Sequence, residues 1–122
     1  MKKILFLIAD AMAKRGHALE DLYYPTSIYI AGKITGDPDY RAKFDWARCM
    51  LTDLGFRPVI NPAELPDGIS YERCMKICFA MLDACEAVAF LPDWRESKGA
   101  VREFARALRK GKGIVFLAKG DV

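Results

Sequence analysis

The run FLPDWRESKGAVREFARA, Phe90 to Ala107, gathers the residues best suited to chemistry. It reads as the end of a buried strand, a polar loop carrying Trp94 and Ser97, a glycine at 99, and a helix with Glu103 in its first turns. A helix start offers free backbone N–H groups and the positive end of the helix dipole, which suit an anion. N–H groups, a hydroxyl and a carboxylate around one concavity are what holding a phosphorylated sugar requires. Plainer readings stand beside this one. Glu103 also fits a solvated glutamate salt-bridged along its helix with Arg102, Arg106 and Arg109. Ser97 also fits a simple helix cap, and Gly99 a turn. The periodicity assigns Val101, Phe104, Ala105 and Leu108 to the buried stripe, and puts Glu103 with Ala100 and Ala107 on an adjoining face of small residues that leaves room for a ligand.

Three further loops hold polar candidates. After the first strand comes GKITG, a G-x-x-x-G with Gly32, Lys33 and Ile34, which alone is a weak signal. Asn61 and Asp93 follow the second and third strands, where turn formation is the usual role of such residues. Trp94 either stacks on a base or packs on its own loop.

The elements that must position these groups alternate along the chain. Strands are expected at 28–31, 57–60, 87–91 and 114–117. Asp37 and Pro38 open a helix with its apolar stripe at Tyr40, Phe44, Ala47, Leu51 and Leu54, closed by Gly55. Ser70 caps a second helix whose inner stripe is Cys74, Cys78, Met81 and Cys85, and the third ends near Gly111. Short apolar strands alternating with helices predict a parallel sheet of about four to five strands covered on both faces, with ligands beyond the carboxyl ends of the strands. Residues 3–15 read as an extra N-terminal helix, so the chain divides into a helix and connector at 1–26 and an α/β domain at 27–122.

With 122 residues and a net charge of +3, no basic stripe and no reading motif, nucleic acid is not an expected partner. The four cysteines, Cys49, Cys74, Cys78 and Cys85, lack a C-x-x-C pair and read as reduced core thiols; no metal and no cofactor are expected. Asp10 interrupts the apolar N-terminal run below the roughly 7–15 residues of a secretion signal, and no stretch approaches the roughly 18 of a membrane span, which places the protein in the cytoplasm.

From Ser27 to about residue 117 the chain resembles the nucleoside 2-deoxyribosyltransferase-like family, a flavodoxin-like three-layer α/β group. The matching residues are IYIAG ending at Gly32, INPAELP from Ile60, and WRESKGAVREFARA from Trp94. Within that family it looks closest to a phage- or prophage-associated branch, a domain of unknown function with the pattern W-x-x-S-x-G-A-x-x-E. The resemblance implies that Glu103 is the nucleophile at the anomeric carbon, where a carboxylate stabilises and then captures oxocarbenium character. It implies that Ser97, where nucleoside transferases carry aspartate, contacts a 5′-phosphate, as in the 2′-deoxynucleoside 5′-monophosphate N-hydrolases. Gly99 and Lys33 would then hold phosphate, Tyr29 and Asn61 would line sugar and base, and Trp94 would cover them; Gly32, Ile34 and Asp93 complete the expected site.

The implied activity is hydrolysis or transfer at the N-glycosidic bond of a (deoxy)nucleoside 5′-monophosphate. The implied assembly is a homodimer or larger homo-oligomer. Two departures stand out. Lys33 replaces a common proline, and Cys78 occupies the position, eight residues before Glu86, of the family's aspartate that orients the sugar or protonates the leaving base. Glu72 and Asp93 lie at the ligand end and Asp83 farther away. The alternatives are a nucleotide-binding or sensing module without efficient catalysis, or a structural oligomer.

Overall fold

The structure, a computed structural model, describes residues 26–118. The N-terminal helix expected at 3–15 and its connector lie outside them. The chain runs β1 (Ile28–Ala31), α1 (Tyr40–Asp53), β2 (Val59–Ile60), a 3-10 turn (Pro62–Glu64), α2 (Tyr71–Asp83), β3 (Ala87–Phe90), a second 3-10 turn (Trp94–Glu96), α3 (Lys98–Arg109) and β4 (Gly113–Phe116). The four strands form one parallel sheet in the order β2-β1-β3-β4.

Strand alternation divides the core. Ile28 and Ile30 of β1 point to one face, where α1 supplies Phe44, Ala47 and Leu51. Tyr29 and Ala31 point to the other, where α2 supplies Cys78 and Leu82 and α3 supplies Ala100 and Ala107. Both faces are covered, so the central strands read as unbroken apolar runs. The result is the expected three-layer, flavodoxin-like sandwich.

Details of the sequence reading shift for identifiable reasons. Asp37 does not open α1: its Oδ1 accepts the Asp39 N–H at 2.9 Å and its Oδ2 accepts Lys43 Nζ at 2.7 Å, which holds a turn ahead of a helix starting at Tyr40. On α2 the buried residues are Met75, Cys78 and Leu82, while Cys74 and Met81 are only half-buried, because the helix is rolled relative to the expected stripe.

The largest correction concerns α3. Val101 and Leu108 are 44% and 57% exposed and Ala105 is exposed, whereas Ala100, Glu103 and Ala107 are buried. The helix thus turns its small residues inward, which lets its backbone lie close to the sheet and carries Glu103 inside. Phe104 alone of the expected stripe packs partly inward, with ring centroids 5.4 Å from Phe90 and 4.7 Å from Trp94.

Gly32, just beyond β1, lies against Leu91, just beyond β3. A Cβ at this glycine would come 2.5 Å from Leu91 Cδ1 and 2.9 Å from Leu91 Cβ, so the strand ends approach only because the side chain is absent. Gly32→Ala is expected to destabilise the fold by about 1–3 kcal/mol through overpacking. An unchanged urea midpoint would show that the two strand ends yield freely.

Candidate active site

A cavity of about 630 Å³ opens where the loops leave the carboxyl ends of the strands. Its floor includes Tyr29 of β1 and Glu103 of α3, and α2 contributes Cys74, Met75 and Cys78 as one wall. Ile34, Thr35 and Tyr40 approach from the loop after β1 and the start of α1. Ser97, Lys98 and Gly99 close it at the start of α3. The position follows from topology: β1 and β3 are neighbours, yet the chain leaves them toward opposite layers, and the gap between those departures is where open α/β sheets bind ligands.

Glu103 is the chemical centre. It is 5% exposed, and Tyr29, itself 1% exposed, donates its hydroxyl hydrogen bond to Glu103 Oε2. Burial raises the Glu103 carboxyl from the ordinary 4.5 to about 7, against the downward pull of the Tyr29 hydrogen bond and the Arg102 charge. Tyr29 is pushed well above its ordinary value, first by burial and then by the neighbouring Glu103 charge. Cys78 adjoins both; burial foremost, with the Glu103 charge adding, pushes its thiol up to about 12. Cys74 Sγ lies 4.0 Å from Cys78 Sγ, one helical turn away. The floor therefore presents one carboxyl that changes charge near neutral pH, a tyrosine that orients it, and a thiol that stays neutral.

The start of α3 supplies the opposite polarity. Ser97 is its N-cap, and its Oγ accepts the Ala100 N–H at 3.1 Å. The Lys98 and Gly99 N–H groups fall in the first turn, where the helix itself offers no carbonyl, and both residues line the cavity. Gly99 also packs closely, since a Cβ there would stand 3.1 Å from Met75 Sδ.

Of the residues singled out in the sequence, Tyr29, Gly32, Ile34, Ser97, Gly99 and Glu103 meet at this cavity. Lys33, Asn61, Asp93 and Trp94 do not line it. Asn61 caps a 3-10 turn by accepting the Ala63 N–H at 2.9 Å. Asp93 accepts the Lys33 N–H at 3.2 Å and Lys43 Nζ at 3.4 Å, which ties the loops after β1 and β3 together. Trp94 packs against Phe90, Phe104 and Phe116. Asp83 pairs with Arg106 through two hydrogen bonds of 2.8 and 2.6 Å, which lower its carboxyl to about 2; Glu72 reaches Arg102 at 3.3 Å.

The sequence reading missed the walls, chiefly Tyr40, Tyr71, Leu65 and Met75. Tyr40 and Tyr71 each begin a helix that follows a strand, the position from which a side chain reaches a switch-point cavity. That was the available signal. Among the described residues no group of three or more histidine, cysteine, aspartate or glutamate side chains is arranged to hold a metal, and no helix is long and apolar enough to cross a membrane.

Strand order, layers and a buried carboxylate at the switch point define a flavodoxin-like α/β domain with a cavity of ligand size. Residues 26–116 match the model of the family described as a domain of unknown function (DUF4406), and the chain belongs to that family. No curated protein matches the sequence.

Glu103 makes the fold pH-sensitive with a definite sign. Below about 4.5 the carboxyl is neutral in both folded and unfolded chains; between 4.5 and 7 only the unfolded chain has released the proton, so this group's contribution to stability falls as pH rises. Above about 7 the whole penalty, about 3 kcal/mol, is present. Glu103→Gln is therefore expected to gain on the native protein by roughly 2–3 kcal/mol between pH 5 and pH 8. Denaturant titrations at the two pH values would refute this if the difference between the proteins stays constant.

Proposed function

We propose that the protein binds a (deoxy)nucleoside 5′-monophosphate in this cavity and cleaves its base–sugar bond through Glu103. The observation that carries the reading is a buried carboxyl, oriented by Tyr29, at the floor of a cavity whose rim is a helix N-terminus with a serine cap. Phosphate would rest on the Lys98 and Gly99 N–H groups and the Ser97 hydroxyl, where dipole and donors favour it. Lys98 adds a cation at the same rim. The sugar would then lie across the floor with its anomeric carbon toward Glu103. Glu103 oxygen forms a bond to that carbon as the carbon–nitrogen bond breaks, and water subsequently opens the glycosyl ester. Resemblance to the nucleoside 2-deoxyribosyltransferase-like family points the same way.

Nucleophilic attack needs the ionised carboxylate, so kcat/KM is expected to rise with pH through an apparent pKa near 7. Tyr29→Phe removes a hydrogen bond that lowers this pKa, and the profile should move to higher pH. Incubation with a panel of nucleotides, scored for free base, tests the reading directly. Base release should be lost in Glu103→Ala by about 100-fold or more. Equal release by that variant, or none from any nucleotide with the native protein, would sink it.

A second reading is favoured by Cys78, a neutral thiol beside Tyr29 and Glu103. In that case the domain binds nucleotide as a sensing module without turnover. Thermal stabilisation by nucleotide with no base release is its signature, and Cys78→Asp would then be expected to create turnover.

A further inference from the structure

We propose that the cavity selects nucleotides whose base is joined to the sugar through a positively charged ring nitrogen, an N-ribosylpyridinium 5′-monophosphate being the simplest class. The inference rests on the reading of Glu103 as nucleophile.

Two observations carry it, and the first concerns the leaving group. A base departs with the electron pair of the carbon–nitrogen bond, so a neutral purine or pyrimidine leaves as an anion unless a proton arrives, and a positioned acid is worth about 10²–10⁴-fold. The groups beside Glu103 are poor donors of that proton. The Tyr29 hydroxyl is committed to Glu103, and burial holds both it and the Cys78 thiol far from ionisation at neutral pH. Among the described residues, the carboxyls lining the cavity besides Glu103 are Asp67 and Glu96; both are exposed, and Asp67 is paired with Arg41 at 3.2 Å. Glu103 cannot be nucleophile and acid in one step. A cationic ring avoids the difficulty, because the departing pair cancels its charge.

The second observation is the character of the wall. Cys74, Met75 and Cys78 present sulfur along the wall, and among the described residues the buried charge at the same cavity is Glu103. Polarizable sulfur beside a carboxylate suits a flat cationic ring. A positive ring would also favour the ionised form of Glu103, whose carboxyl burial holds at about 7 despite the Tyr29 hydrogen bond and the Arg102 charge, so binding itself prepares the nucleophile.

The step balances without an external acid. A Glu103 oxygen bonds to C1′, the C1′–N bond breaks, and its electron pair makes the ring nitrogen neutral. Water then attacks C1′, its proton passes to solvent, and ribose 5-phosphate and the free carboxylate remain.

Nicotinamide mononucleotide and the neutral-base nucleotides AMP, CMP, dAMP and dCMP provide the test, with free base measured by chromatography. The expected result is release of nicotinamide at least about 100-fold faster than of any neutral base, the loss set by a missing acid. A series of mononucleotides with substituted pyridines should slow steeply as the departing pyridine becomes more basic. Neutral-base nucleotides cleaved as fast as the pyridinium, or a flat response across the series, would overturn the inference while leaving the glycosidase reading standing. No cleavage of either class would remove both. Cys78→Asp should raise release of neutral bases and narrow the ratio; a folded variant with the ratio unchanged would also overturn it.

Discussion

Glu103 cannot lose its water without a partner, and β1 brings one, the Tyr29 hydroxyl, which meets it across the interface of sheet and helix. Other features follow from accommodating this pair. For the carboxyl to reach Tyr29, α3 must lie close over the sheet, which restricts its inner face to Ala100 and Ala107 around Glu103. Larger apolar residues of the same helix are displaced outward, so Val101 and Leu108 remain exposed. Burial of an ionisable group thus sets the rotation of a whole helix, an inversion of the usual rule that the most apolar stripe faces the core.

The loops around the cavity are fastened by contacts that individually contribute little. Ion pairs such as Lys43 with Asp37 and Asp93, whose lysine reaches solvent, add little stability. Their value is positional. Asp93 also takes the Lys33 N–H, so one carboxylate joins the ends of β1 and β3 above the floor. At the other end of the layer, Asp83 holds Arg106 with two hydrogen bonds and approaches Lys110 at 3.6 Å, which fixes α2 to α3. The cavity is therefore braced where the strands end above its floor and, farther away, between the two helices that carry its wall and its carboxyl. The close approach of Gly32 to Leu91 adds a steric brace between the strands themselves.

Strands and layers were legible because central strands such as IYIA and AVAF are buried on both faces and need apolar residues at every position. The α3 stripe was not, since hydrophobic periodicity weighs transfer from water and has no term for a glutamate that finds a tyrosine 74 positions earlier in the chain. Asp37, Asn61 and Asp93 show the same limit at smaller scale. Each was visible as a polar loop residue after a strand, but its actual bond, to Asp39, Ala63 or Lys33, depends on local backbone geometry. Trp94 was ambiguous for a related reason: an aromatic in a loop suits a ligand or a neighbour equally, and here Phe90, Phe104 and Phe116 occupy its faces.

Arg102 is the nearest cation to act on Glu103 among the described residues. It follows Val101 on α3, beside Glu103, and its charge pulls the Glu103 carboxyl downward, although less than burial pushes it up. Yet Arg102 is turned toward α2, where it meets the Tyr71 hydroxyl at 3.4 Å and Glu72 at 3.3 Å and lies over the Tyr71 and Phe79 rings. A direct ion pair would have fixed Glu103 as a carboxylate over the whole neutral range and cancelled its charge toward anything entering the cavity. Holding the guanidinium on the outer surface keeps Glu103 oriented by a neutral donor and, among the described residues, out of a direct ion pair. The carboxyl is consequently responsive: a positive charge arriving above it lowers its pKa, and a negative one raises it. That responsiveness, more than the presence of a glutamate, is what distinguishes this floor from a buried ion pair whose role is only structural.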